Sequence, residues 1–177
     1  MERRVIIRKQ EGHNFLWSRE NGRSLLWMWD LLQEEEAQRQ VAQQAFGDVL
    51  VAGYGLGVVQ ELLIDNPNVT SVTTVEISPE VLAANKKAGR GLKGEVVVGD
   101  FFLYESDSLY DCVYGDIWTD QTPRDEDLLT YIKFKEKALL MVKPQGKVFA
   151  WGLGFFEYII RENPGPEQLS SITKDGD

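Results

Sequence analysis

The sequence predicts an α/β fold: a doubly wound, mostly parallel sheet with helices on both faces, preceded by an N-terminal strand and helix. Three observations lead there. From Asp48 onward, short β-rich runs alternate with stretches of helical periodicity, the pattern of parallel strands joined by helical crossovers. The glycine cluster Gly53-Tyr54-Gly55-Leu56-Gly57 stands between the first of those runs and the helix that follows. Carboxylates close two of the strand candidates, Glu76 and Asp116, and in such sheets ligands gather at the carboxyl ends of strands.

The elements follow in order. Val5-Ile6-Ile7 is the first strand signal, and a polar, aromatic-spotted stretch runs on to Gly22. Ser24 to Phe46 reads as one helix with Leu25, Trp29, Leu32 and Ala37 near one face and Glu34, Glu35 and Glu36 on a solvated face. Gly47 is its stop. Asp48 to Ala52 is the first strand of the sheet, and Val58, Val59, Leu62 and Leu63 repeat at helical spacing after it. Val72 to Glu76 is the second strand. Ser78-Pro79 opens a helix through Lys87, serine capping it and proline suiting its first turn. Glu95 to Val98 is the third strand and Tyr110 to Asp116 the fourth. Asp125 to Val142 reads as a long helix ended by Lys143-Pro144-Gln145-Gly146, and Lys147 to Trp151 is the fifth strand.

After Trp151 the run Gly-Leu-Gly-Phe-Phe-Glu-Tyr-Ile-Ile supplies one more helix or strand, so the sheet has five or six strands and is C-terminally short. Its exposed edge is a surface through which a homodimer can form. Three parts result: an N-terminal extension and lid over 1–47, the sheet domain over 48–163 and a mobile tail over 164–177. Counted from Asp48, the expected strand order is 3-2-1-4-5, which sets Gly53 and Asp116 in one cleft.

Composition narrows the function classes. The chain has 177 residues, 43% of them apolar, enough for one sizeable core. Lys and Arg number 19 against 28 Asp and Glu, a net charge of −9 that argues against broad contact with nucleic-acid phosphates. No apolar run approaches the roughly twenty residues of a membrane span. Met-Glu-Arg-Arg lacks the features of a secretory signal, so a soluble cytoplasmic protein is expected. A single cysteine, Cys112, and a single histidine, His13, give no basis for a disulfide or a metal site.

The glycine cluster allows a tight turn and close approach of a ligand, and the helix after it offers N–H groups to an anion. The alternative is a turn required only by packing. Glu76, nineteen positions after Gly57, is placed to accept hydrogen bonds from both hydroxyls of a ribose. Dinucleotide enzymes share that acidic position, but their glycines fall first, third and sixth. Here they fall first, third and fifth, with Val58 sixth. A ligand with one small anionic group fits better than a diphosphate.

The glycine loop, Val75-Glu76-Ile77-Ser78-Pro79, Val98-Gly99-Asp100-Phe101, Tyr110-Asp111-Cys112-Val113-Tyr114-Gly115-Asp116 and the run from Ala138 to Val148 together resemble class I S-adenosylmethionine-dependent methyltransferases, which have a Rossmann-like fold. The resemblance covers about Asp48 to Trp151. It implies that Gly53, Tyr54, Gly55 and Gly57 line the methionine part of S-adenosylmethionine. It implies too that Glu76 takes the ribose hydroxyls, with Ile77 against the adenine. Gly99, Asp100 and Phe101 would surround the adenine, and Asp116 would face the sulfonium and the acceptor. Val-Glu-Ile-Ser-Pro-Glu-Val-Leu and Gly-Asp-Phe-Phe-Leu also look like the spermidine synthase group. That group carries a loop aspartate where this chain has Leu56. A loop carboxylate repels the carboxylate of S-adenosylmethionine and is tolerated by its decarboxylated form, so Leu56 favours the intact methyl donor.

Tyr114-Gly115-Asp116-Ile117-Trp118, with Phe134-Lys135, is similar to small-amine methyltransferases of the guanidinoacetate type and suggests an amine or guanidine acceptor. The proline-rich motif of DNA amino-methyltransferases is absent after Asp116. Methyl transfer is an in-line displacement that demands positioning. Asp116 is the candidate to orient an amine or take its proton. Trp118 and Trp151 are candidates to wall the acceptor pocket, or else ordinary packing residues. Glu20, Trp17 and His13 lie in the lid segment, His13 reading as an exposed loop histidine rather than a general base. Cys112 reads as a small buried side chain. The expected function is a small-molecule methyltransferase. The alternatives are an aminopropyltransferase using decarboxylated S-adenosylmethionine and a cofactor-binding module without catalysis.

Overall fold

The computed structural model describes residues 4–20, 22–118 and 125–162. The expected tail over 164–177 lies outside them. Its centre is a sheet of five parallel strands: β4 (Gly47–Ala52), β5 (Val69–Glu76), β6 (Glu95–Val98), β7 (Tyr110–Gly115) and β8 (Val142–Ala150). Their order is β6-β5-β4-β7-β8, the predicted doubly wound arrangement. Between them run α2 (Val58–Ile64), α3 (Pro79–Lys87) and α4 (Asp125–Met141), and α5 (Leu153–Glu162) follows β8. The final apolar run is therefore helix. No described helix is long and apolar enough to cross a membrane.

Strand alternation sorts the core into two faces. Val49 and Val51 of β4, with Cys112 and Tyr114 of β7, pack against Val59 and Leu63 of α2. Leu50, Ala52 and Val113 face the other way, toward Tyr131, Phe134 and Ala138 of α4 and Phe156 of α5. Tyr131 stacks on Phe156, and Trp118 meets both rings edge to face. Phe134 lies flush on the backbone of Gly115, where a Cβ would sit 2.5 Å from its ring.

The N-terminal region departs from expectation. It is an antiparallel sheet, β1 (Arg4–Gln10), β2 (His13–Glu20) and β3 (Arg23–Trp29), followed by α1 (Leu32–Ala42). The helix expected from Ser24 begins eight residues later. Gln10 pairs with His13, so Glu11 and Gly12 make a two-residue turn between β1 and β2; Glu20 pairs with Arg23, and Gly22 lies in the turn before β3. Asn-Gly is the strongest short hairpin signal, since the matching turns need positive φ. Glu11, Gly12 and Gly22 all have it, at 52°, 90° and 77°. The run Leu25 to Trp29 is apolar throughout, so periodicity alone does not separate strand from helix, and the turn decides.

Two smaller corrections follow. The hydroxyl of Ser78 does not cap α3; it donates to Glu80 Oε2 at 2.8 Å. Lys143 to Gly146 do not merely end a helix. Val142 already pairs with Tyr110, and the ladder resumes at Lys147 opposite Cys112. Lys143 Nζ reaches back to Asp111 Oδ2 at 2.8 Å.

Because Phe134 is fully buried and closes the α4 face, Phe134→Ala is expected to lower stability by about 3–5 kcal/mol. Urea unfolding will show a lower midpoint at an unchanged slope; a midpoint equal to the parent's would contradict this packing.

Candidate active site

The parallel register sets the strand ends side by side, Ala52 opposite both Val75 and Gly115, and Glu76 opposite Val98. Strand order reverses at β4, and a cavity of about 370 Å³ opens beside it, large enough for a small molecule. Its floor comes from the glycine loop and the ends of β5, β6 and β7. Leu26, Trp27, Met28 and Trp29 of β3 cross over it, and Glu34 of α1 and Trp151 close one side.

The glycines serve packing first. Gly53, at φ +90°, has no room for a Cβ against the carbonyl of Asp116, and at Gly55 a Cβ would sit 2.5 Å from Met28 Sδ. The loop amides are engaged within the chain: Gly53 N–H donates to Val75 O, Gly57 N–H to Tyr54 O and Leu56 N–H to Met28 Sδ. The Leu56 and Gly57 N–H groups are thus taken up inside the loop, and the N–H groups that the sequence offers to an anion are those of the first turn of α2, from Val58 on. Gly57 lies against the Tyr54 ring, and the Tyr54 hydroxyl accepts from Lys93 N–H at 2.9 Å. Neither Tyr54 nor Gly57 lines the cavity.

Glu76 is 6% exposed. Its Oε2 accepts from Tyr54 N–H at 2.7 Å and its Oε1 from Ser78 N–H at 2.8 Å. Two main-chain donors hold the carboxylate rigidly, and each oxygen keeps acceptor capacity for a ligand hydroxyl. Asp100 Oδ1 accepts from Phe102 N–H at 2.8 Å, beside Gly99 and the buried Phe101. Ile77 lies at the mouth, 68% exposed.

Asp116 lies across from that end, its N–H donating to Ala52 O at 3.0 Å. Burial, and then the charge of Glu34, push its carboxyl up to about 8. The Gln38 amide nitrogen lies between the two acids, 2.7 Å from Glu34 Oε1 and 3.5 Å from Asp116 Oδ2. Glu34 Oε2 accepts from Trp151 Nε1 at 3.1 Å. Burial raises the Glu34 carboxyl too, opposed by its bonds to Gln38 and Trp151. Trp118 Nε1 donates to Trp151 O at 3.1 Å, and both indoles line the cavity.

Glu34 corrects the reading of Glu34-Glu35-Glu36 as a solvated face. Leu32, expected on the inner face, is 76% exposed, while Glu34, Gln38 and Ala42 turn inward. That spacing of four was legible as a stripe, but its polar members read as surface. Trp17 does not line the cavity; its neighbour Leu16 does. His13 is half-buried on β2, its Nδ1 3.1 Å from Asp30 O and away from the cavity. The Glu20 side chain lies outside the described residues. Cys112 is buried in β7, as expected, and burial raises its thiol.

No protein-family model and no curated protein matches the chain. Among solved structures it is similar to an S-adenosylmethionine-dependent methyltransferase from Clostridium acetobutylicum, at 21% identity and TM-score 0.49 over 68% of this chain and 50% of that one. It is similar to the N-methyltransferase NodS from Bradyrhizobium japonicum, at 19% identity and TM-score 0.49 over 66% of each chain. The glycopeptide N-methyltransferase MtfA, complexed with S-adenosylmethionine, aligns at 21% identity and TM-score 0.48 over 64% of this chain and 52% of that one. The aligned part thus spans about half the length of the first of these proteins. The fold stands on the strand order and register above, and the spermidine synthase-like branch finds no support among these three.

The acid at Asp116 makes a pH prediction. Its carboxyl titrates near 3.8 when unfolded and near 8 when folded. Below the lower value both states hold the proton; between the two only the folded state does, so rising pH costs stability until about pH 8. Asp116→Asn removes that cost. Its stability advantage over the parent should grow from about pH 4 to about pH 8, reach a few kcal/mol and then level. Denaturant unfolding across that range checks it, and a pH-independent difference contradicts it.

Proposed function

We propose that this chain is an S-adenosylmethionine-dependent methyltransferase acting on a small molecule with an amine or guanidine group. One observation carries the reading. Glu76 is a buried carboxylate held by two main-chain N–H groups, without a cationic partner among the described residues, at the end of β5 beside the strand where the sheet order reverses. Such a group suits two ligand hydroxyls, and the apolar walls from Val75, Ile77 and Phe101 suit a flat ring beside them. Asp100 keeps one carboxylate oxygen for an exocyclic amine. Charge supports a sulfonium donor, because the described lining residues include four carboxylates and no lysine, arginine or histidine.

The donor supplies a methyl carbon that takes the acceptor's lone pair while the carbon–sulfur bonding pair returns to sulfur. Glu76 and Asp100 would hold the nucleoside end. Asp116 would orient the acceptor nitrogen and, ionised, take a proton from its ammonium form before attack, freeing the lone pair that forms the new bond, so that the product leaves as the methylated ammonium. Leu56 packs among the side chains of α2 and α3 rather than lining the cavity. Its bearing on donor choice is therefore only that no loop carboxylate stands there.

Isothermal titration is the test. Micromolar binding of S-adenosylmethionine, weakened about 100-fold in Glu76→Ala, is expected. A parent-like melting temperature in that variant separates lost ligand contacts from a collapsed turn. Asp116→Ala should keep the affinity and lose turnover. Preference for decarboxylated S-adenosylmethionine with transfer to a diamine would make the chain an aminopropyltransferase. Binding without turnover would make it a cofactor-binding module, and no binding to either donor overturns the reading.

A further inference from the structure

From the geometry we infer that Glu34 is a second recognition residue for the acceptor, and that Glu34 and Asp116 together select a cationic amine over neutral molecules of the same shape. The inference deepens the methyltransferase reading and rests on it. Both carboxylates line the same cavity, brought there by α1 and by the end of β7. One Gln38 amide nitrogen serves both, at 2.7 and 3.5 Å. No base among the described lining residues balances them.

The wall behind the two acids is polar but carries no cation among the described residues. Gln38 is 0% exposed and Tyr114 1%, yet Gln38 Oε1 and the Tyr114 hydroxyl have no hydrogen-bond partner among the described residues. Gln38 Oε1 belongs to the amide group that joins the acids, and neither it nor the Tyr114 hydroxyl lines the cavity. Both atoms leave this wall with nothing to neutralise the two carboxylates. An ammonium group in the cavity answers the acids themselves: its donors meet carboxylate oxygens of Glu34 and Asp116, and its charge offsets theirs. Trp29, Trp118 and Trp151 line the same cavity and supply aromatic faces for the cation and its carbon chain. An acidic or neutral acceptor would leave the two acids facing each other.

The test titrates n-pentylamine, agmatine and n-pentanol into the chain, with S-adenosylmethionine titrated in parallel. The amines should bind, the alcohol at least about 10-fold more weakly, and Glu34→Gln should weaken the amines at least about 10-fold. Glutamine still accepts from Trp151 and carries no charge for burial to penalise, so that variant should melt at or above the parent and keep its S-adenosylmethionine affinity within about twofold. Asp116→Asn should weaken the amines as well. Equal binding of alcohol and amines, unchanged amine affinity in Glu34→Gln, or no amine binding at about 10 mM each overturns the inference. Failure of the donor reading appears in the S-adenosylmethionine titration instead, so the two are told apart.

Discussion

The geometry of the cavity hangs on one buried carboxylate. Glu76 ends β5, and its two oxygens bind the N–H of Tyr54 in the turn after β4 and the N–H of Ser78 at the start of α3. An ionised acid taken out of water needs compensating donors, and here both come from main chain that must turn sharply to present them. The glycine loop and the β5–α3 turn are thereby fixed to each other. Gly53 completes the tie: its N–H bonds Val75 O, and its missing Cβ lets the Asp116 carbonyl lie against it. Three strand ends, β4, β5 and β7, are locked through two residues.

That lock explains what was legible in the sequence. The alternation of Val49-Leu50-Val51-Ala52 and of Cys112-Val113-Tyr114 is a short-range pattern, and each strand carries it independently of its neighbours. With glycines and acids punctuating the strand ends, the strand order followed. The N-terminal part is different. Leu25 to Trp29 has no period, and its strand identity comes from its antiparallel pairing with β2. Glu34 was opaque for another reason. Three successive glutamates say solvent on any helical wheel, and only the approach of α1 to β7 turns one of them inward. Met28 was equally hidden, since nothing local to β3 announces that its sulfur takes the Leu56 N–H.

The two halves of the cavity therefore have different origins. The side that carries Glu76 and Asp100 is built from strand-end turns, where backbone N–H groups anchor both acids. The opposite side is built from the region before the sheet, with β3 crossing above and α1 supplying Glu34 and Gln38. The two sides meet where Met28 rests on the loop. The N-terminal sheet is itself secured to α3 through hydrophobic contact and through Asp30, whose carboxylate accepts from Asn14 and pairs with Arg90 at 3.5 Å. Displacing that sheet would uncover the cavity without unmaking the parallel core.

Electrostatics gives the arrangement its direction. Beside the glycine loop, Glu76 and Asp100 accept from main-chain donors. At the other end Glu34 and Asp116 share one amide; burial drives both carboxyls upward, and the charge of Glu34 adds to the rise at Asp116. Such a pair is destabilising in isolation and is relieved by a proton or by a cation. A cation entering this end releases the strain that folding leaves there, whereas a neutral molecule does not. The fold thus retains a local cost in the free chain, at the end of the cavity where Glu34 and Asp116 meet.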